Sequence, residues 1–136
     1  MKGLTVDSSV IISSLLEQES RHREALEIWH RVLAGKNFAV MPFSVLVEVV
    51  AAIRRRTGSE ELALEVKKAL LDAEAVSFIV LDEQAAEDAA EIAAKTAVRG
   101  MDALVIQVAR EFGTDLISFD HEMIAKAAMF FSKAAP

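Results

Sequence analysis

The chain contains no cysteine. Disulfides, zinc–thiolate centres, iron–sulfur clusters and thiol nucleophiles are therefore excluded, and a reducing intracellular setting fits this composition. Proline is nearly absent. Pro42 and Pro136 are the only two; they fall at a connection and at the terminus, so no helix between them loses an amide to proline. No apolar run reaches the roughly 20 residues that a membrane-spanning helix needs. Met1-Lys2-Gly3 leads straight into a strand-like run, without the long apolar segment of a signal peptide. A cytoplasmic protein with no membrane contact is expected. Positive charge is also scarce: 15 Lys and Arg against 21 Asp and Glu give a net charge of −6. This argues against a surface built for nonspecific nucleic-acid binding. It does not exclude a nuclease, because a carboxylate site that holds divalent cations is locally far less negative than the count implies.

The chain is long and apolar enough to build a core. Its 136 residues, 53% of them hydrophobic, fit one domain spanning 1–136 rather than a disordered chain. It shows no internal repeat, linker or low-complexity segment. Short apolar runs alternate with helical patterns. Leu4–Val6, Phe38–Met41, Val76–Leu81 and Leu116–Phe119 read as strands, and Met129-Phe130-Phe131 as a possible edge strand. Between them, Ala25, Ile28, Trp29, Val32 and Leu33 recur at helical spacing before Gly35. Helices are also expected from Ser8 or Ser9 through Leu16, from Pro42–Ser44 to Arg56, after Ser59, over Asp82–Ala97, over Met101–Phe112, and over His121–Ala128. Strands alternating with helices predict right-handed crossovers and a three-layer α/β/α fold around a parallel sheet of four to five strands.

Four carboxylates stand out in this pattern. Asp7 ends the first apolar run and Asp120 the last, so both are expected at the carboxyl edge of the sheet, where sites of open α/β folds form. Asp102 sits in the first turn of its helix after Gly100. Glu48 interrupts the run Val45-Leu46-Val47-Glu48-Val49-Val50, where a buried charge is costly. Each has an ordinary explanation. Asp7 and Asp120 are suited to capping the helices that follow them, Asp102 to favouring the helix dipole, and Glu48 to facing outward. If all four converge, their mutual repulsion calls for a hard counter-cation.

At these residues the chain resembles the PIN-domain family, in particular the small toxin ribonucleases of the VapC type. The resemblance rests on Val6-Asp7-Ser8-Ser9-Val10-Ile11-Ile12, Ser44-Val45-Leu46-Val47-Glu48-Val49, Arg99-Gly100-Met101-Asp102-Ala103-Leu104 and Leu116-Ile117-Ser118-Phe119-Asp120. It implies a parallel sheet between helices and an acidic pocket holding Mg²⁺ or Mn²⁺. It further implies metal-dependent hydrolysis of RNA, a homodimer, and a cognate antitoxin of a type II toxin–antitoxin pair. Carried over by position, Asp7, Glu48, Asp102 and Asp120 form the catalytic and metal-binding quartet. Asp7 and Asp102 are the expected direct metal contacts, and Ser9 and Ser118 the supporting polar residues. Arg99 is the candidate for a substrate phosphate.

Two other readings compete. One is a non-catalytic PIN-like RNA-binding module, which would typically lack one or more of the acids. The other is a metal-dependent phosphotransfer protein of another α/β family. A haloacid-dehalogenase-like phosphatase wants an acid two residues after Asp7, where Ser9 stands, and a receiver domain wants a lysine that neither Lys2 nor Lys126 is placed to supply. His22, His30 and His121 are scattered and give no evident general base. Arg54-Arg55-Arg56 closes the Glu48 helix, where cations favour the helix dipole.

Overall fold

The computed structural model describes residues 2–134, with side chains through Phe131. Pro136 lies outside the described residues. Four strands form one sheet: β1 (Lys2–Val6), β2 (Asn37–Pro42), β3 (Val76–Ile79) and β4 (Asp115–Ile117). Their order is β3-β2-β1-β4, and every pairing is parallel. Three helical crossovers connect them: α1 (Ser8–Leu15) and α2 (His22–Leu33), α3 (Phe43–Thr57) and α4 (Glu60–Asp72), α5 (Glu83–Thr96) and α6 (Gly100–Phe112). The final helix is α7 (His121–Ala134).

The strand order determines the layers. The first two crossovers step the same way along the sheet, so right-handed connections put α1–α4 on one face. The third returns from β3, past β2 and β1, to β4, and puts α5 and α6 on the opposite face. There α6 lies across β1, β2 and β4, and α7 packs on α5 and α6. Sandwiched between helices, β2 buries Ala39, Val40 and Met41 in succession, as a parallel strand covered on both faces does. Val6, Val10, Ile11, Met41, Val45, Val49, Ile92, Val105 and Ile106 join one continuous buried cluster.

Several helix ends follow local chemistry. Ser59 accepts the Leu62 N–H at 3.0 Å and Asp82 accepts that of Ala85 at 2.8 Å. Gly58 (φ 72°) and Gly113 (φ 64°) close α3 and α6 in the left-handed conformation that glycine adopts without a Cβ penalty.

Two expectations need correction. Met129-Phe130-Phe131 is not an edge strand but part of α7, so the sheet has four strands among the described residues. Met123, Ala127 and Phe130 are buried at i, i+4 and i+7, and that helical face packs α7 into the core. The third and fourth strands are also shorter than their apolar runs suggest. Val80 and Leu81 lie outside β3, and Ser118 and Phe119 outside β4, so Asp120 sits in a connection rather than directly on a strand end.

Candidate active site

The chain reverses its direction along the sheet between β1 and β4, and the four acids gather about that point. Val6 pairs with Ile117, and the Asp7 amide donates to the Ile117 carbonyl at 2.9 Å. The last residues of β1 are thereby fixed against the start of the β4–α7 connection. A crevice at such a switch point is where open parallel sheets place their ligands.

Asp7 is buried and is held by two hydroxyls. Ser9 Oγ donates to Asp7 Oδ2 at 3.0 Å, and Ser118 Oγ donates to the same oxygen at 2.9 Å. Each hydroxyl is itself an acceptor: Ser9 Oγ takes the Phe119 N–H at 3.4 Å and Ser118 Oγ the Asp120 N–H at 3.0 Å. With their lone pairs engaged by amides, both hydroxyl protons point at Asp7. Among the described residues no hydrogen bond reaches Asp7 Oδ1, which leaves that oxygen available to a ligand. Asp7 occupies the N-cap position of α1 but makes no side-chain cap, so the capping explanation fails for this residue.

Glu48 does not face outward; on α3 that position belongs to Val47, which is 63% exposed. Glu48 is half-buried between the core face and the surface, and Ser8 Oγ donates to its Oε1 at 3.3 Å. Its pKa is raised, chiefly by burial and then by the charge of Asp7, with Asp102 adding to the effect. The Ser8 hydrogen bond and the charge of Arg99 oppose it. Asp102 in the first turn of α6 is also raised, again by burial first and Asp7 second, with a contribution from Asp120. Arg99, whose Nε lies 3.5 Å from Asp102 Oδ2, pulls it down. These couplings link all four acids. Two carboxylates made reluctant to ionise first by their own burial and then by the adjacent Asp7 form an oxygen-only, anion-rich donor set. That set fits a hard divalent cation, which would relieve the repulsion. Among the described residues no three His, Asp or Glu side chains are grouped closely enough to hold a metal ion by themselves. The arrangement suits an ion that keeps several of its waters.

Asp120 does two things. Its Oδ1 accepts the Met123 N–H at 3.1 Å and caps α7, so the capping explanation holds here, yet the residue also lines the same cavity as Asp102. Arg99 occupies the N-cap position of α6 without capping it, and its side chain is 84% exposed.

A model of the PIN domain family matches residues 4–129. The chain belongs to the PIN domain family. No curated protein sequence matches it. Among solved structures this PIN domain is similar to Mycobacterium tuberculosis VapC20, described as a toxin that cleaves the sarcin–ricin loop. The identity is 23%, the TM-score 0.76, and the match covers 90% of this chain and 93% of that one. At that identity the likeness establishes the shared fold.

Sequence reading named the four acids and the two serines that the PIN fold brings together. It missed Ser8 as the partner of Glu48; the run Asp7-Ser8-Ser9 carried that signal, since two hydroxyls beside one acid can serve two carboxylates. It also missed Lys126, which lines the cavity next to Asp102 and Asp120. No local pattern marks that lysine. Arg21 was likewise unmarked: its guanidinium lies 3.8 Å from the ring centroid of Phe119 and ties the start of α2 to the connection bearing Ser118 and Asp120.

Proposed function

We propose that this PIN domain, acting as one unit over residues 1–136, is a divalent-metal-dependent ribonuclease that hydrolyses RNA phosphodiesters, and that it is the toxin of a type II toxin–antitoxin pair. The observation that carries the reading is the gathering of the acids at the switch point, with buried Asp7 oriented by Ser9 and Ser118 and Asp102 and Asp120 lining one cavity. Glu48 and Asp102 are both pushed up by burial and by Asp7, a cost without return in a chain that never meets a cation. Asp7, Asp102, Glu48 and Asp120 would hold Mg²⁺ or Mn²⁺ through carboxylate oxygens. When bound, the cation supplies activation of water and neutralisation of charge on the phosphate under attack.

The protein's own part is positioning. Ser9 and Ser118 fix the Asp7 carboxylate, Ser8 steadies Glu48, and the first turn of α6 presents Asp102. Arg99 stands at the rim, exposed and able to meet a substrate phosphate. The likeness to a solved ribonuclease toxin supports RNA as substrate and an antitoxin as partner. A largely apolar cavity of about 180 Å³ between α1, α2 and α4, lined by Ile11, Leu26, Trp29 and Leu70 among others, suits an apolar antitoxin segment. Exposed Phe43, Val47, Val80, Leu81 and Met101 supply apolar surface for a homodimer. Among the described residues no helix is long and apolar enough to cross a membrane.

The test is cleavage of total bacterial RNA by the purified protein, with Mg²⁺, with Mn²⁺ and with EDTA. Discrete fragments are expected with metal only, and they should vanish in Asp7→Asn and Asp102→Asn. Cleavage that persists near the native rate in those variants, or in EDTA, would sink the proposal. RNA binding with no cleavage under either metal would favour the non-catalytic module.

A further inference from the structure

Beside the acid cluster lies a polar cavity of about 250 Å³, lined by Arg99 and Asp102 from the start of α6 and by Asp120, Glu122, Met123 and Lys126 from the start of α7. We infer that it seats a backbone phosphate of the RNA adjacent to the one being cut, gripped by Arg99 and Lys126. This rests on the ribonuclease reading above and names a subsite of the same site.

Three features argue for a phosphate rather than a base. The cavity is smaller than the roughly 300–1,000 Å³ of pockets that enclose whole small molecules. No aromatic side chain lines it, so it offers no platform for base stacking. Its two cations come from different elements, Arg99 from the turn before α6 and Lys126 from α7, so they face a ligand from two sides. Neither is strongly committed elsewhere. Arg99 meets Asp102 only at 3.5 Å and is 84% exposed. Lys126 pairs with Glu122 one helical turn away at 2.9 Å; Lys126 is 31% and Glu122 77% exposed, and a pair with one member in solvent holds weakly.

The wall also carries Asp102, Asp120 and Glu122, whose charges oppose an anion; Asp120 Oδ1 is engaged by the Met123 amide and Glu122 pairs with Lys126, so the grip depends on Arg99 and Lys126 turning to the phosphate. The α6 N-terminus adds a further attraction. Its N-cap residue Arg99 makes no side-chain cap, so first-turn amides remain available to an anion. Because the cavity adjoins Asp102 and Asp120, a strand crossing the acid cluster enters it next. Contacts there would read the sugar–phosphate chain and carry no base preference.

The experiment uses the Asp7→Asn protein, so that RNA is bound without being cut. Titration with inorganic phosphate, followed by amide NMR shifts, is expected to move signals of residues 99–102 and 122–126 and to lose that effect in Lys126→Gln. Binding of a 12-nucleotide mixed-sequence single-stranded RNA, followed by fluorescence anisotropy at several KCl concentrations, is expected to weaken several-fold in Lys126→Gln and in Arg99→Gln. The slope of log affinity against log salt should fall by about 0.7 for each cation removed, and Lys126→Arg should restore both. Unchanged slopes in both glutamine variants, or phosphate shifts confined to other surfaces, would overturn the inference. Phosphate shifts at the cavity without any change in RNA slope would also overturn it, assigning the cavity to a free anion. The expected slope reductions in Lys126→Gln and Arg99→Gln together with a native protein that cuts no RNA would defeat the ribonuclease reading and leave the phosphate seat standing.

Discussion

Ser118 holds Asp7 from 111 residues away: its hydroxyl donates to Asp7 Oδ2 at 2.9 Å, and its own oxygen accepts the Asp120 amide at 3.0 Å. One small side chain thus orients one acid while fixing the backbone of another. Ser118→Ala is expected to raise the Mg²⁺ concentration needed for half-maximal cleavage by about 10-fold, the scale on which outer-shell partners act. Ser118→Thr keeps the hydroxyl and is expected to stay near the native value. A Mg²⁺ titration of cleavage rate separates the two, and equal requirements in all three proteins would refute the orienting role.

Asp7→Asn keeps the shape and the acceptor oxygen but removes the charge. Cleavage is expected to fall on the order of 10²–10³-fold, as when one strong electrostatic contact is lost from a reaction centre. The fold should persist, since Asn can still accept from Ser9 and Ser118. Circular dichroism and rate measurements on the same sample check both halves.

Asp120 allows its two roles to be measured separately. Asp120→Ala removes the α7 cap and is expected to cost about 1 kcal/mol of stability as well as activity. Asp120→Asn retains a side-chain oxygen for the Met123 amide, so it should cost activity with little loss of stability. Urea unfolding midpoints distinguish these outcomes. Equal destabilisation by both variants would mean that the charge, not the cap, supports α7.

The raised acids give the metal-free protein a distinctive pH response. A carboxyl whose pKa is higher in the folded state keeps its proton longer there, so ionisation above that value costs native stability. The cost is absent below the ordinary carboxylate range near pH 4 and is complete once pH exceeds the raised values of Glu48 and Asp102. In EDTA, Glu48→Gln is therefore expected to melt a few degrees above the native protein at pH 7.5, with the difference closing toward pH 4. Mg²⁺ should raise the native melting temperature at pH 7.5 and do so far less in Glu48→Gln. A Glu48→Gln protein that melts lower at neutral pH would contradict the account.

Much of this was legible because α/β proteins write their strands as short apolar runs. Leu4–Val6 and Phe38–Met41 lie within β1 and β2, and the acids after and between such runs drew notice. The error at Met129-Phe130-Phe131 has a simple cause. Three consecutive apolar residues look like a strand when read alone, and only their spacing from Met123 and Ala127 reveals a helix face. What the residues could not reveal was adjacency. Strand order is a property of long-range pairing, so nothing near Asp7 announces Ser118, and nothing near Asp102 announces Lys126. The family resemblance supplied the quartet and its serines, but not the second cation.

The strand order has a consequence for synthesis. Because β4 pairs with β1 from the far end of the sequence, a nascent chain can pair β1 with β2 and β2 with β3 while Asp7 still lacks Ser118 and Asp102 lacks its neighbour Asp120. The pocket closes only when residues 115–126 have emerged and folded back. The acid cluster is therefore the last part of the domain to be completed as the chain is made, whereas the β1–β2–β3 part of the sheet can form earlier.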